Sequence, residues 1–191
     1  MLPIFFQAAN LLSLIQVLFR IDQDLADQRQ TARCPHCGGP LHHGNYQRKP
    51  RGLLDRLPDE YFVRQSFCCG NPECRRRCLP SSVLFMDRRV YWRGVILVVM
   101  ALRQRRPQSA SKASLMELFE VSRQTINRWV CFFSEIFPKC EQWQRLRGMV
   151  GAQVGERELP SSLLDFFGKQ HLAPEAAFLS CLRFLASDFG S

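Results

Sequence analysis

Two cysteine pairs carry the most explicit chemistry in the chain: Cys34-x2-Cys37 and Cys69-x4-Cys74, about 30 residues apart. Thiolates are soft donors, and four of them at these spacings suit one Zn²⁺ in a tetrahedron. Gly38 and Gly39 follow the first pair, and Gly70, Asn71 and Pro72 lie within the second. Each pair can therefore fold as a tight knuckle that aims two sulfurs at one ion. The predicted metal ligands are Cys34, Cys37, Cys69 and Cys74.

Other readings of the same residues are weaker. No secretory signal precedes the cysteines and their total of nine is odd, which argues against a disulfide framework and for a reduced, cytoplasmic setting. Cys68 or Cys69 could open the second knuckle. Cys69 is preferred because Cys69 to Cys74 encloses the whole Gly-Asn-Pro turn, and Cys78 is then a spare thiol. His36, His42 and His43 read as solvent-facing rather than as ligands. Cys131, Cys140 and Cys181, set in apolar helical text, read as plain buried cysteines.

The elements that must position this site follow from the flanking pattern. Leu41 to Arg48 and Tyr61 to Cys68 read as two strands, with a third near Cys78 to Phe85, the layout of a zinc ribbon. So small a module needs its metal, on the order of 10 kcal/mol or more for structural zinc. Upstream, Met1 to Phe19 is apolar with Gln7, Asn10, Ser13 and Gln16 at every third place, a helix with a polar stripe. We expect it to pack on its own domain or on a second copy rather than enter a membrane. Asp22 to Gln30 is polar and helix-compatible.

Charge is concentrated. The formal net charge is +9 and the pI near 9.4. Asn45 to Arg106 holds 14 Lys/Arg against 5 Asp/Glu, while the rest carries 12 of each sign. That is the footprint of a polyanion, most often nucleic acid. Lys49 is the only lysine among the 14, which suits phosphate recognition by guanidinium forks. Arg48, Lys49, Arg51, Arg75, Arg76 and Arg77 are the expected backbone contacts.

Val90 to Arg105 reads as a buried helix, with arginines (Arg88, Arg89 and Arg93; Arg103, Arg105 and Arg106) snorkelling at its ends and Pro107 stopping it. A short helix, Ser111 to Glu120, presents Leu115, Leu118 and Phe119. Val121-Ser122 then turns, Ser122 caps, and a second helix runs from Arg123 to about Ile136. Its predicted core face is Ile126, Trp129, Val130 and Phe133, with Gln124, Asn127, Arg128 and Cys131 opposite. Helix, turn and helix with Arg, Gln and Asn near the second start reads as a helix-turn-helix. Arg123, Gln124, Asn127 and Arg128 would then face the major groove of double-stranded DNA. Beyond it, Gln142 to Arg147, a helix from near Pro160 and Ala173 to Leu185 continue in helical text, with Gly148 to Gly155 as a flexible link.

CPHCGG, a basic spacer, CGNPECRRR and VSRQTINRW together resemble the N-terminal DNA-binding region of bacterial insertion-sequence transposases, over roughly Arg33 to Phe137. The resemblance implies zinc on the four cysteines and DNA on the helix after Ser122. Cys78 departs from the pattern, and the catalytic domain with its three metal-binding carboxylates has no counterpart. Acidic residues after the helix-turn-helix start lie on helical text or short links, and His171 is the only histidine beyond His43, so no catalytic residue is assigned and no enzyme is expected.

The expected fold is mainly α with a small β zinc ribbon. Its segments are 1–32 (N-terminal helical), 33–86 (ribbon), 87–140 (helix-turn-helix) and 141–191 (C-terminal helical extension). The expected function is that of a zinc-dependent DNA-binding protein of mobile-element ancestry, nucleoid-associated, an accessory factor, regulator or remnant. A transposase or other subunit, or a second copy, is a conceivable partner. The alternative is a zinc-ribbon subunit of a larger protein or ribonucleoprotein assembly.

Overall fold

The structure, a computed structural model, describes residues 8–52, 57–86, 90–105 and 111–187. Met1 to Gln7, Arg88, Arg89, Arg106 and Pro107 of the expectations above lie outside them. The chain is mainly helical with two small antiparallel sheets.

One helix, α1 (Ala8–Thr31), runs through both the apolar and the polar N-terminal text. Leu14, Ile15, Leu18 and Ile21 bury one side in the main core, Ser13 and Gln16 face solvent, and Ala26 reaches the cysteine module. Among the described residues no helix is long and apolar enough to cross a membrane. Asp22, on the same inner face, was not expected inside. It is buried, accepts hydrogen bonds from Ser82 Oγ and from the Val83 N–H at 2.6 Å, and so ties α1 to the segment after the sheet.

The two long strands of the sequence reading are broken. Strands β1 (Leu41–His43), β4 (Phe67–Cys69) and β5 (Arg77–Cys78) form one sheet in the order β1-β4-β5. Strands β2 (Tyr46–Gln47) and β3 (Val63–Arg64) form another. The break has a local cause: Asn45 Oδ1 accepts from the Ser66 N–H at 3.0 Å, a side-chain bond where the ladder would otherwise run. The expected start of the second strand is instead a 3₁₀ turn, Asp59–Phe62. The third strand stops at Cys78. Pro80 follows, and Val83, Leu84 and Phe85 enter the core as irregular chain.

The centre of the helical body is α2 (Arg93–Arg105), which starts three residues later than expected because Tyr91 and Trp92 form β-bridges to Arg51 and Phe85. Val95 through Ala101 are all buried, as in a helix covered on every side. It packs on α4 and α6. Arg93 does not snorkel. It is buried and donates to Leu185 O at 2.8 Å and Phe85 O at 3.2 Å.

Helix α3 (Lys112–Leu118) is capped by Ser111, whose Oγ accepts from the Ser114 N–H. Glu120, with φ of +49°, turns the chain, and buried Val121 follows. Ser122 Oγ accepts from the Thr125 N–H at 3.2 Å and starts α4 (Arg123–Cys131). A π-turn, Phe132–Ile136, continues the helix to the 3₁₀ turn that contains Pro138. Ile126, Trp129 and Phe133 are buried, but Val130 is 39% exposed, because none of the described elements covers that flank. Cys131 is exposed as well, and Cys140 is half-buried, so among the three only Cys181 is a fully buried structural thiol.

Helices α5 (Glu141–Val150), α6 (Ser161–Gln170) and α7 (Pro174–Ala186) complete the body. The stretch Gly148 to Gly155 is not a loose link: Val150 and Val154 are buried, and Trp143 Nε1 donates to Glu156 Oε1 at 2.9 Å across it. His171, which follows the end of α6, places Nε2 2.9 Å from Ser180 Oγ in the middle of α7.

Candidate functional site

The cysteine pairs converge through two related turns. In the first, the Cys34 N–H donates to Gly39 O at 3.0 Å; in the second, the Cys69 N–H donates to Arg76 O at 2.9 Å. The second loop is two residues longer, matching x4 against x2. After the second cysteine of each pair the chain takes a left-handed step, at Gly38 (φ +70°) and at Arg75 (φ +49°). Glycine makes that step freely, whereas a side chain is strained there by about 1–2 kcal/mol. The Asn71 side chain accepts from the Glu73 N–H at 3.0 Å and shapes the longer loop.

The ligand atoms of Cys34, Cys37, Cys69 and Cys74 all lie within 4.8 Å of one another, with Cys34–Cys74 at 3.8 Å and Cys37–Cys69 at 3.4 Å. Sulfurs around a tetrahedral ion with bonds of about 2.3 Å stand about 3.8 Å apart. The four cysteines thus form a possible metal-binding site, and their donor set fits a thiophilic dication. Backbone donors serve the same end. The N–H of His36, with that of Cys37 in support, draws the Cys34 thiol down to about 6 against the opposing effect of burial. At Cys69 the N–H of Asn71 also pulls down, but burial and the hydrogen bonds shared with Cys37 and Cys34 push the thiol up to about 12. Four thiols this close cannot all ionise without a cation among them.

The neighbouring thiols are sorted by the strand alternation. Cys68 faces the other side of β4, against Gly44, where an added Cβ would stand 3.1 Å from its sulfur. Cys78 is buried in the same small apolar cluster as Cys34 and Cys69 and sits beside the four without being one of them. His36, His42 and His43 are exposed; His36 Nδ1 pairs at 3.2 Å with Arg76. A Cβ at Gly70 would stand 2.4 Å from His42 Nε2, so a larger residue there would have to push the exposed His42 ring aside.

The predicted basic residues separate into distinct settings. Lys49, Arg51, Arg75 and Arg76 are exposed around the module. Arg77 lies over the Tyr46 ring, 5.5 Å from its centroid, and Arg48 over Phe85 at the same distance. On α4, Arg123, Gln124, Asn127 and Arg128 are all exposed, opposite the buried Ile126, Trp129 and Phe133. Lys112, absent from the sequence-based set, joins them: its Nζ donates to Asn127 Oδ1 at 2.9 Å. Its ammonium is held below the usual lysine range by desolvation and then by the charges of Arg123 and Arg103. Lys112 on α3 therefore feels the charges of Arg103 on α2 and Arg123 on α4. The sequence reading has Arg103 only as a snorkelling arginine at a helix end, and nothing in the spacing ties residue 112 to residue 127.

Comparison of the chain with known protein families, with curated proteins and with solved structures finds no match.

Proposed function

We propose that this chain is a zinc-dependent, double-stranded-DNA-binding protein without chemistry of its own. Cys34, Cys37, Cys69 and Cys74 hold Zn²⁺ and close the sheet module as a zinc ribbon, while α3, its turn and α4 act as a helix-turn-helix. When bound, the ion supplies the cross-link that a six-residue apolar cluster cannot. The observation that carries the reading is the division of α4, with Arg123, Gln124, Asn127 and Arg128 outward and Ile126, Trp129 and Phe133 inward. Arg can fork onto guanine and Asn or Gln onto adenine, which is the vocabulary of major-groove recognition. Arg48, Lys49, Arg51, Arg75, Arg76 and Arg77 add phosphate contacts that set position rather than sequence. The likeness of VSRQTINRW and CGNPECRRR to transposase DNA-binding regions supports the same reading.

The test is a binding-site selection from random duplexes with the wild type and with Gln124→Ala, Asn127→Ala and Arg128→Ala. Distinct motifs that change with each variant are expected. Four identical, featureless selections would overturn DNA reading by α4. A second reading has its own observation: Val130 at 39% and Ile136 at 55% exposure place apolar groups on the open flank of the same helix. On that reading α4 docks on a protein partner, and Val130→Asp and Ile136→Asp would abolish co-purification of that partner while leaving duplex binding intact.

A further inference from the structure

A pocket of about 300 Å³ opens between α2, α6 and α7 and shares no lining residue with the four-cysteine site or with the outer face of α4. That volume is at the lower end of the range for small-molecule sites. Its walls are mostly apolar. Each helix brings a small residue to it, Ala101, Gly168 and Ala177, and these side chains leave the space between the helices unfilled. Gly168 lies within α6, where glycine weakens a helix relative to alanine. No close approach requires it, since an added Cβ would meet nothing within 4 Å. What a large side chain there would take up is the pocket. At the mouth, Leu172 is fully exposed, and a ligand would remove that apolar surface from water.

The lining selects the ligand. Phe178 is buried, and its ring lies close on α2, where a Cβ at Gly94 would stand 3.3 Å from it. A flat wall held in this way suits a second aromatic ring. The polar groups of the lining are Asp165 and His171. The imidazole is held through Nε2, 2.9 Å from Ser180 Oγ. A carboxylate has about four acceptor positions, so Asp165 can accept a hydrogen bond from a ligand whatever else it meets. No lysine or arginine is among the described lining residues to hold an anion. A neutral donor also avoids the cost of stripping water from an ammonium group beside apolar walls.

We propose that this pocket binds a small neutral aromatic alcohol, its ring against Phe178 and its hydroxyl donating to Asp165 beside His171. The site stands apart from the zinc and duplex readings, with which it shares no residue.

Isothermal titration calorimetry on the full-length protein tests it, with para-ethylphenol, para-ethylanisole and cyclohexanol as separate ligands. The phenol should bind saturably. The anisole, which lacks the donor, should bind roughly fivefold more weakly, the worth of one neutral hydrogen bond, and cyclohexanol, which lacks the ring, should also bind more weakly. Asp165→Leu should weaken the phenol by the same factor and leave the anisole unchanged. Gly168→Ala should retain binding, because its Cβ meets open space. Gly168→Trp should block it while leaving the melting temperature unchanged. Absence of saturable phenol binding, equal affinity for either comparison ligand, or full affinity in Gly168→Trp would overturn the proposal.

Discussion

Lys112 Nζ donates a 2.9 Å hydrogen bond to Asn127 Oδ1, fifteen residues further along and on the next helix. The bond joins α3 to α4 on the exposed side, where Ser111 and Ser122 have set the two helix starts. It also occupies the Asn127 oxygen that a bidentate contact to adenine needs. For Asn127 to read a base, Lys112 must move away, and a phosphate is the natural acceptor.

Lys112→Met should therefore lower duplex affinity for all sequences alike and reduce the salt slope by about 1. Base preference at the Asn127 position should survive. Because desolvation and then the charges of Arg123 and Arg103 depress the Lys112 pKa, its contribution is present at neutral pH and disappears, as pH rises, below the usual lysine value of 10.5. Affinity measured across alkaline pH should fall earlier in the wild type than in Lys112→Met. Parallel curves would remove Lys112 from the interface.

Metal analysis of purified protein should give about one zinc per chain. Serine at Cys34, Cys37, Cys69 or Cys74 should abolish it, whereas Cys68→Ser and Cys78→Ser should retain it. Chelation should melt the sheet module, since its apolar cluster is Ala26, Leu41, Phe67 and three cysteines, and the ion supplies on the order of 10 kcal/mol or more. A reduced, folded sample without metal would contradict the zinc assignment.

Trp129→Ala should destabilise the protein by about 3–5 kcal/mol, the usual range for a buried tryptophan, because its ring packs edge-on against Tyr91 at 5.0 Å. DNA binding should fail only as a consequence of unfolding. Arg128→Ala should leave the thermal midpoint nearly unchanged, cost about 1–3 kcal/mol of binding and relax preference at one base pair. Denaturation and competition binding on the two variants separate the roles.

Burial raises the Asp22 pKa above 3.8, despite the hydrogen bonds from Ser82 and Val83 and the charges of Arg64 and Arg93. The folded state then holds the proton more tightly than the unfolded one, so this group favours folding below the unfolded pKa and loses that contribution as pH rises through the folded pKa. Asp22→Asn removes the dependence. Melting both proteins from pH 7 down to 4.5 should shift the stability difference in the wild type's favour. A difference independent of pH would show that Asp22 does not titrate in this window.

What the sequence by itself determined is local. Cysteine spacing and the Gly-Asn-Pro turn are set by backbone geometry over a few residues, and the two knuckles do bring Cys34, Cys37, Cys69 and Cys74 together. Ser122 caps α4 through a bond three residues long, and the 3.6-residue period places Ile126, Trp129 and Phe133 on one side. Tertiary structure decided whatever depends on which element covers which face. Val130 shares the apolar period but lies on a flank that no described element covers, while Asp22 and Arg93 are charged yet enter the interior because distant backbone groups meet them. Asn45, by bonding Ser66, divides strands that the apolar pattern would have run together, and Cys78 comes to rest beside the four clustered thiols only because β5 pairs with β4. Those partners are 21 to 92 residues away along the chain or on another strand, a separation over which no periodicity carries information.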